Sequence, residues 1–266
     1  MLGAVAGDII GSTYEFIDMK EYDFELCPSN SFFTDDTVMT IAVAHWLTHC
    51  DEEGLTKERL ISTMQEMGRS YPYAGYGSSF NSWLWSENPQ PYNSWGNGAA
   101  MRVSPVGLYA ETLAEALDLA KITAEVSHNH PEGIKGAQAV AAAVWMVKNR
   151  YSKVEIRDYI TEQFRYDLTR TVDEIRPTYE WDVSCQGSVP ESIICFLEGK
   201  DFKDVVRLAV SIGGDSDTMA CIAGSIAACM YPIPEWISKE CDKRLTSDLL
   251  KIMNDFEKYI EAKIEN

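Results

Sequence analysis

Residues 3–16 read GAVAGDIIGSTYEF, with glycine at positions Gly3, Gly7 and Gly11. Every fourth residue returns to one side of an α-helix, so the spacing predicts a helix face packed closely against another element. The helical period recurs outward from this stretch. DTVMTIAVAHWLTHC (36–50) has apolar residues at Val38, Ile41, Ala42, Ala44 and Leu47, and TLAEALDLAKITAEV (112–126) repeats the pattern. EGIKGAQAVAAAVWMVKN (132–149) is apolar nearly all round and reads as a central buried helix. DFKDVVRLAVSIG (201–213) and SDTMACIAGSIAACM (216–230) are broken apart by Gly213-Gly214, and SDLLKIMNDFEKYIEAKI (247–264) is amphipathic. Convincing β alternation is scarce. The expected fold class is all-α.

The chain has 266 residues, 45% hydrophobic and 24% charged, enough for a full core. Without repeat, low-complexity tract or clear linker, it reads as one domain, 1–266. Residues 71–107, rich in Gly, Ser, Asn, Pro and aromatics, read as a long functional loop. The net charge of −18 should repel a phosphate backbone, so a broad nucleic-acid-binding surface is not expected. MLGAVAGDII lacks the basic region of a signal peptide, Asp8 interrupts its apolar run, and no stretch is long enough to span a membrane. The seven cysteines (Cys27, Cys50, Cys185, Cys195, Cys221, Cys229 and Cys241) form no C-x-x-C pair. Buried free thiols and a reducing cytoplasm are the expectation.

Two acidic stretches need explaining: SFFTDDTVMT (31–40) and SIGGDSDTMA (211–220). Either alone reads as an ordinary helix N-cap. One carboxylate suffices for a cap, however. Several in apolar surroundings repel and lose solvation unless cations or protons compensate. A hard divalent cation, Mg²⁺ or Mn²⁺, prefers carboxylate, hydroxyl and water oxygens. Asp35 and Asp36 can reach two neighbouring sites, and Asp215 and Asp217 can converge on one side of a loop. Thr34 and Thr218 add hydroxyls. Four carboxylates nearly neutralise two such ions, which can orient a substrate oxygen and activate water. Glu15 lies between Tyr14 and Phe16 and reads either as an exposed turn residue or as a partly buried acid.

Taken together, GAVAGDIIGSTYEF, FTDDTVMT, YGSSF, WGNGAAMRVSPVG, SHNHPEGIKGAQAVA, SCQGSVPESI and GGDSDTMACIAGSIAA resemble the ADP-ribosylglycohydrolase family, in the family's order and over residues 3 to about 230. The resemblance implies a single compact orthogonal helical bundle and two divalent cations, Mg²⁺ or Mn²⁺, on Thr34, Asp35, Asp36, Asp215, Asp217 and Thr218. It implies catalytic roles for Glu15, Asp36 and Asp217, with Glu15 near the scissile bond. The turns with Gly77 and Ser79, and with Ser94, Trp95, Gly96, Asn97 and Gly98, would surround the diphosphate and distal ribose of ADP-ribose. His128 matches a family position near the phosphates; His130 reads as a helix cap. Arg102 reads as a buried ion-pair partner outside the site. Cys185 has no neighbouring His in sequence and is not read as a nucleophile.

The expected reaction is hydrolysis of the bond between ADP-ribose and an acceptor on a protein, small molecule or nucleobase, releasing ADP-ribose. A binding protein of the same fold without catalysis, or a metal-dependent phosphatase acting on the diphosphate, are the alternatives.

Overall fold

The computed structural model describes residues 1–49 and 54–265; Cys50 lies outside them. The order is α1 (Leu2–Gly11), α2 (Asp35–Thr48), α3 (Lys57–Ser70), α4 (Ser78–Trp85), α5 (Gly98–Met101), α6 (Ser104–Tyr109), α7 (Leu113–Glu125) and α8 (Pro131–Lys148). Then come α9 (Lys153–Phe164), α10 (Val172–Ile175), α11 (Cys185–Glu198), α12 (Phe202–Ser211), α13 (Ser216–Ala227), α14 (Glu235–Arg244) and α15 (Ser247–Glu265). No β-strand occurs among the described residues, and an isolated antiparallel bridge joins Gly96 to Ser184. The helices form the all-α fold that the periodicity predicts, and the orthogonal bundle that the resemblance implies.

The glycine face of α1 lies against α13. A Cβ at Gly7 would collide with the backbone of Ala220, one at Gly3 with Gly224 and Ala228, and one at Gly11 with Ser216 and Asp217. Gly224 answers from α13: its own Cβ would lie 2.6 Å from the Gly3 carbonyl oxygen. Small residues on both helices let the backbones touch, and this contact sets the depth of every side chain along it. α13 is buried over its whole length. α8 is lined with buried alanines and packs on α5, α6, α7, α9 and α11. Trp46, Phe196, Phe202 and Phe256 are all but fully buried, each contributing about 1.5–3 kcal/mol by leaving water.

Caps explain many helix starts. Thr34, Thr56, Thr112 and Ser152 accept from backbone N–H groups in the first turns of α2, α3, α7 and α9. His130 caps α8, accepting from Glu132 N at 3.1 Å.

Residues 71–107 are not one long loop. They contain α4, α5 and the start of α6, with an irregular stretch between α4 and α5. The Ser, Asn and aromatic residues of this region favour turns and caps, and so disguised short helices that tertiary packing stabilises. Each of the six described cysteines is a free thiol, and Cys185, Cys195, Cys221 and Cys241 are buried. No described helix is long and apolar enough to cross a membrane.

Candidate active site

The first acidic stretch is held by a residue on α1. Asp8 is fully buried. It accepts from Thr34 N (2.9 Å), Thr34 Oγ1 (2.8 Å), Thr37 N (3.0 Å) and Thr37 Oγ1. These bonds fasten the start of α2 to α1 and present Asp35 and Asp36 from its first turn. Thr34 also accepts from Asp36 N at 3.3 Å.

The second stretch enters from a sharp turn. Gly213 and Gly214 have φ of +82° and +70°, a left-handed conformation that favours glycine. Asp215 occupies the N-cap position of α13, yet its side chain makes no cap bond. Its Oδ2 instead accepts from Asn97 Nδ2 at 2.6 Å. The two stretches meet directly: Thr218 Oγ1 donates to Asp36 Oδ2 at 3.1 Å, across 182 positions of sequence. Glu15, Asp215 and Asp217 can each bring an oxygen within 4.8 Å of the others.

Five carboxyl groups, Glu15, Asp35, Asp36, Asp215 and Asp217, thus line one pocket, and the buried Asp8 makes a sixth behind them. Burial, reinforced by Asp217, pushes Asp8 up to about 7 and Glu15 up to about 8. Burial also holds Asp35, Asp36 and Asp215 well above the usual carboxylate range, with repulsion from Asp217 adding to it. Among the described residues none of the six is ion-paired with Lys or Arg. Asp36 Oδ1 is buried without a hydrogen-bond partner. Carboxyls crowded and buried to this degree need protons or cations to compensate their charge.

The cluster opens into a cavity of about 560 Å³, within the roughly 300–1,000 Å³ usual for small-molecule sites. Gly77 precedes α4, with nothing within 4 Å of where a Cβ would stand. Ser79 is exposed beside it. Ser94 Oγ accepts from Gly96 N at 3.0 Å, tightening the turn before α5. A Cβ at Gly98 would lie 3.1 Å from His128 Nε2. Trp95 is 52% exposed and meets His130 edge-on. The Asn97 amide donates to Asp215 and Ser188. His128 is buried, and desolvation with the nearby Arg102 charge holds its imidazole well below the usual histidine range. Phe16, next to Glu15, stacks on Trp181 with centroids 5.5 Å apart.

A family model described as ADP-ribosylglycohydrolase matches residues 1–264. The chain belongs to the ADP-ribosylglycohydrolase family. An uncharacterized protein of Archaeoglobus fulgidus is 32% identical over 57% of this chain and 55% of its own length, so this chain spans about half of that relative. Human ADP-ribosylhydrolase ARH3 is 25% identical over 94% of this chain and 90% of its own. The ADP-ribosyl-[dinitrogen reductase] glycohydrolase of Rhodospirillum rubrum is 26% identical over 90% of this chain and 87% of its own. In fold, a solved chain described as an ADP-ribosylglycohydrolase-related protein complex superposes with a TM-score of 0.69, at 22% identity, over 90% of this chain and 93% of that one.

The ADP-ribosylglycohydrolase resemblance implies divalent cations, and the donors here suit them. Carboxylates and threonine hydroxyls dominate, with the free Asp36 Oδ1 among them. Asp35, Asp36, Asp215, Asp217, Thr218 and Glu15 border the cavity, and every residue of the Gly77 and Ser94–Gly98 turns singled out above, with His128, borders the same space; Thr34 sits behind them, its hydroxyl donated to Asp8. Asp8 went unread in the sequence except as a break in an apolar run; a lone charge on a glycine-faced helix was the available signal. Arg102 is buried but is not an ion-pair partner among the described residues: it donates to the Thr123 carbonyl and the Ser127 hydroxyl. Cys185 is fully buried and its thiol is pushed up to about 12, which keeps it protonated and unreactive.

Proposed function

We propose that this chain hydrolyses the glycosidic bond between ADP-ribose and an acceptor group, releasing ADP-ribose, with two divalent cations, Mg²⁺ or Mn²⁺. The observation that carries the reading is the meeting of the two acidic stretches through Thr218 and Asp36, beside glycine turns, in one cavity. The names of the relatives, one an ADP-ribosylhydrolase and one a glycohydrolase of ADP-ribosylated dinitrogen reductase, support it.

Thr34, Asp35, Asp36, Asp215, Asp217 and Thr218 would hold the ions. When bound, such ions polarise substrate hydroxyls and make water a better nucleophile. Glu15 takes the proton of the attacking water. Its carboxyl borders the cavity beside Asp215 and Asp217, as a base at this site must. Asp36 and Asp217 stabilise the positive charge that grows at the anomeric carbon as the leaving group departs. The N–H groups of the turns at Gly77–Ser79 and Ser94–Gly98, with His128 Nε2, hold the diphosphate. Trp95 offers an exposed indole face for the base. Thr37 and Thr34 act through Asp8, which keeps the first turn of α2 in register with α1.

The test is a panel of arginine-linked, serine-linked and base-linked ADP-ribose, each assayed with Mg²⁺, Mn²⁺ or EDTA, with products separated chromatographically. Intact ADP-ribose, formed only with metal, is expected. AMP or free phosphate would instead make the chain a diphosphate hydrolase. Calorimetric binding of ADP-ribose with no turnover of any adduct would make it a binding protein.

A further inference from the structure

Arg102 carries a positive charge that the fold leaves uncompensated. It is 1% exposed and borders the cavity. Its guanidinium donates to two neutral acceptors, Thr123 O at 2.7 Å and Ser127 Oγ at 2.8 Å, while its Nε has no partner. The Phe80 ring lies 5.5 Å from it. A buried cation without a counter-ion is expensive, and a site that borders a cavity can take its anion from a ligand.

The same guanidinium decides a proton position one step further on. Ser127 Oγ must accept from Arg102, because Arg has only donors. Ser127 is fully buried and lies 2.8 Å from His128 Nδ1. If Nδ1 carried the proton, the Ser127 hydroxyl would accept twice and its own hydrogen would be buried unpaired. The satisfied arrangement has Ser127 donating to Nδ1, which places the ring proton on Nε2. Nε2 in turn faces the glycine turn: ideal Cβ atoms on Gly98 and Gly96 would lie 3.1 and 3.5 Å from it.

We propose that Arg102 and Ser127 are positioning residues for a ligand diphosphate. They fix His128 in the tautomer whose Nε2–H is aimed at the Gly96–Gly98 turn, and they set a positive charge behind it. The inference rests on reading this cavity as an ADP-ribose site. It adds two residues that touch no ligand atom through the relay itself, and it gives the His128 ring a single orientation and a single role, that of a neutral donor.

The test combines nitrogen-15 NMR of the imidazoles with calorimetry. His128 is assigned among the four histidines by comparison with His128→Gln. In the metal-free, ligand-free wild type, His128 should show a protonated Nε2 and a hydrogen-bonded lone pair at Nδ1. Ser127→Ala should mix the tautomers and weaken ADP-ribose binding about ten- to a hundredfold, the worth of a hydrogen bond to a charged group. The rise in Tm on adding Mg²⁺ should be unchanged, which separates a positioning role from a general loss of structure. Ser127→Thr keeps the hydroxyl and should restore both tautomer and affinity. An Nδ1-protonated His128 in the wild type overturns the relay, and so does Ser127→Ala binding ADP-ribose as tightly as wild type. A wild type with the expected tautomer but no affinity for ADP-ribose overturns the diphosphate as occupant and the proposed function with it.

Discussion

Gly11→Ala should damage the site through the fold. In a helix, Gly→Ala ordinarily stabilises by up to about 1 kcal/mol. At Gly11 the new Cβ would stand 2.5 Å from Asp217 Cα and 2.7 Å from Asp217 N. Carbon atoms in contact rest about 3.5–4.0 Å apart, so α1 and α13 must separate by about 1 Å. Overpacking of this kind costs about 1–3 kcal/mol, which outweighs the helix gain. For a chain of this size the net loss should lower Tm by about 2–8 °C. The obstructing atoms belong to Asp217 itself, and displacing a site group by about 1 Å can cost about 10²-fold in rate. Gly3→Ala is the control. Its Cβ meets Gly224 and Ala228, with Gly224 about 10 Å along α13 from Asp217. Gly3→Ala should lose comparable stability but retain most of its activity and its Mg²⁺-dependent rise in Tm. Scanning calorimetry with and without Mg²⁺, beside steady-state hydrolysis, reads both quantities. Equal activity loss in the two variants at equal stability loss would refute the claim that this helix contact sets the position of Asp217. Wild-type behaviour of Gly11→Ala would refute the close contact itself.

Asp8→Asn should cost about 1–3 kcal/mol, because an amide nitrogen faces donors that the carboxylate now satisfies; the same variant should lose most of its Mg²⁺-induced thermal shift, read by fluorimetry. Asp36→Asn and Asp217→Asn should each remove most of the activity, and the double variant should lose little more, since residues serving one site are non-additive; losses that multiply would separate the two stretches. Asp8 and Glu15 are held up to about 7 and about 8, against ordinary values of 3.8 and 4.5. The metal-free fold therefore keeps protons that the unfolded chain releases, so their contribution to stability is full below about pH 4 and lost as pH rises through about 7–8. Melting in EDTA from pH 5 to 9 should show Tm falling, and the stabilisation by Mg²⁺ should grow over the same interval; a Tm in EDTA that rises with pH would contradict the charge crowding.

Much of this arrangement was legible before the fold was known. The spacing of Gly3, Gly7 and Gly11 announces a close helix contact, and α1 against α13 is that contact. The acidic stretches announce a site by the surplus of carboxylates over what a cap uses, and Asp215 indeed caps nothing with its side chain. Their meeting was not readable from local pattern, because Asp36 and Thr218 are 182 positions apart and are joined only by tertiary packing. Arg102 was legible as a buried group, but its lack of a carboxylate partner is a property of the whole packed interior. The short helices α4 to α6 were hidden for a related reason. Their sequence favours turns, and their stability comes from burial of residues such as Phe80, Trp83 and Leu84.

Soaking crystals of the protein in Mn²⁺ and recording anomalous diffraction tests the central claim most directly. Two manganese peaks per chain should lie between the start of α2 and the start of α13, among Asp35, Asp36, Asp215 and Asp217, and both should vanish in the Asp36→Asn, Asp217→Asn double variant. Manganese bound elsewhere, or no peak at this cluster at millimolar Mn²⁺, would contradict the account.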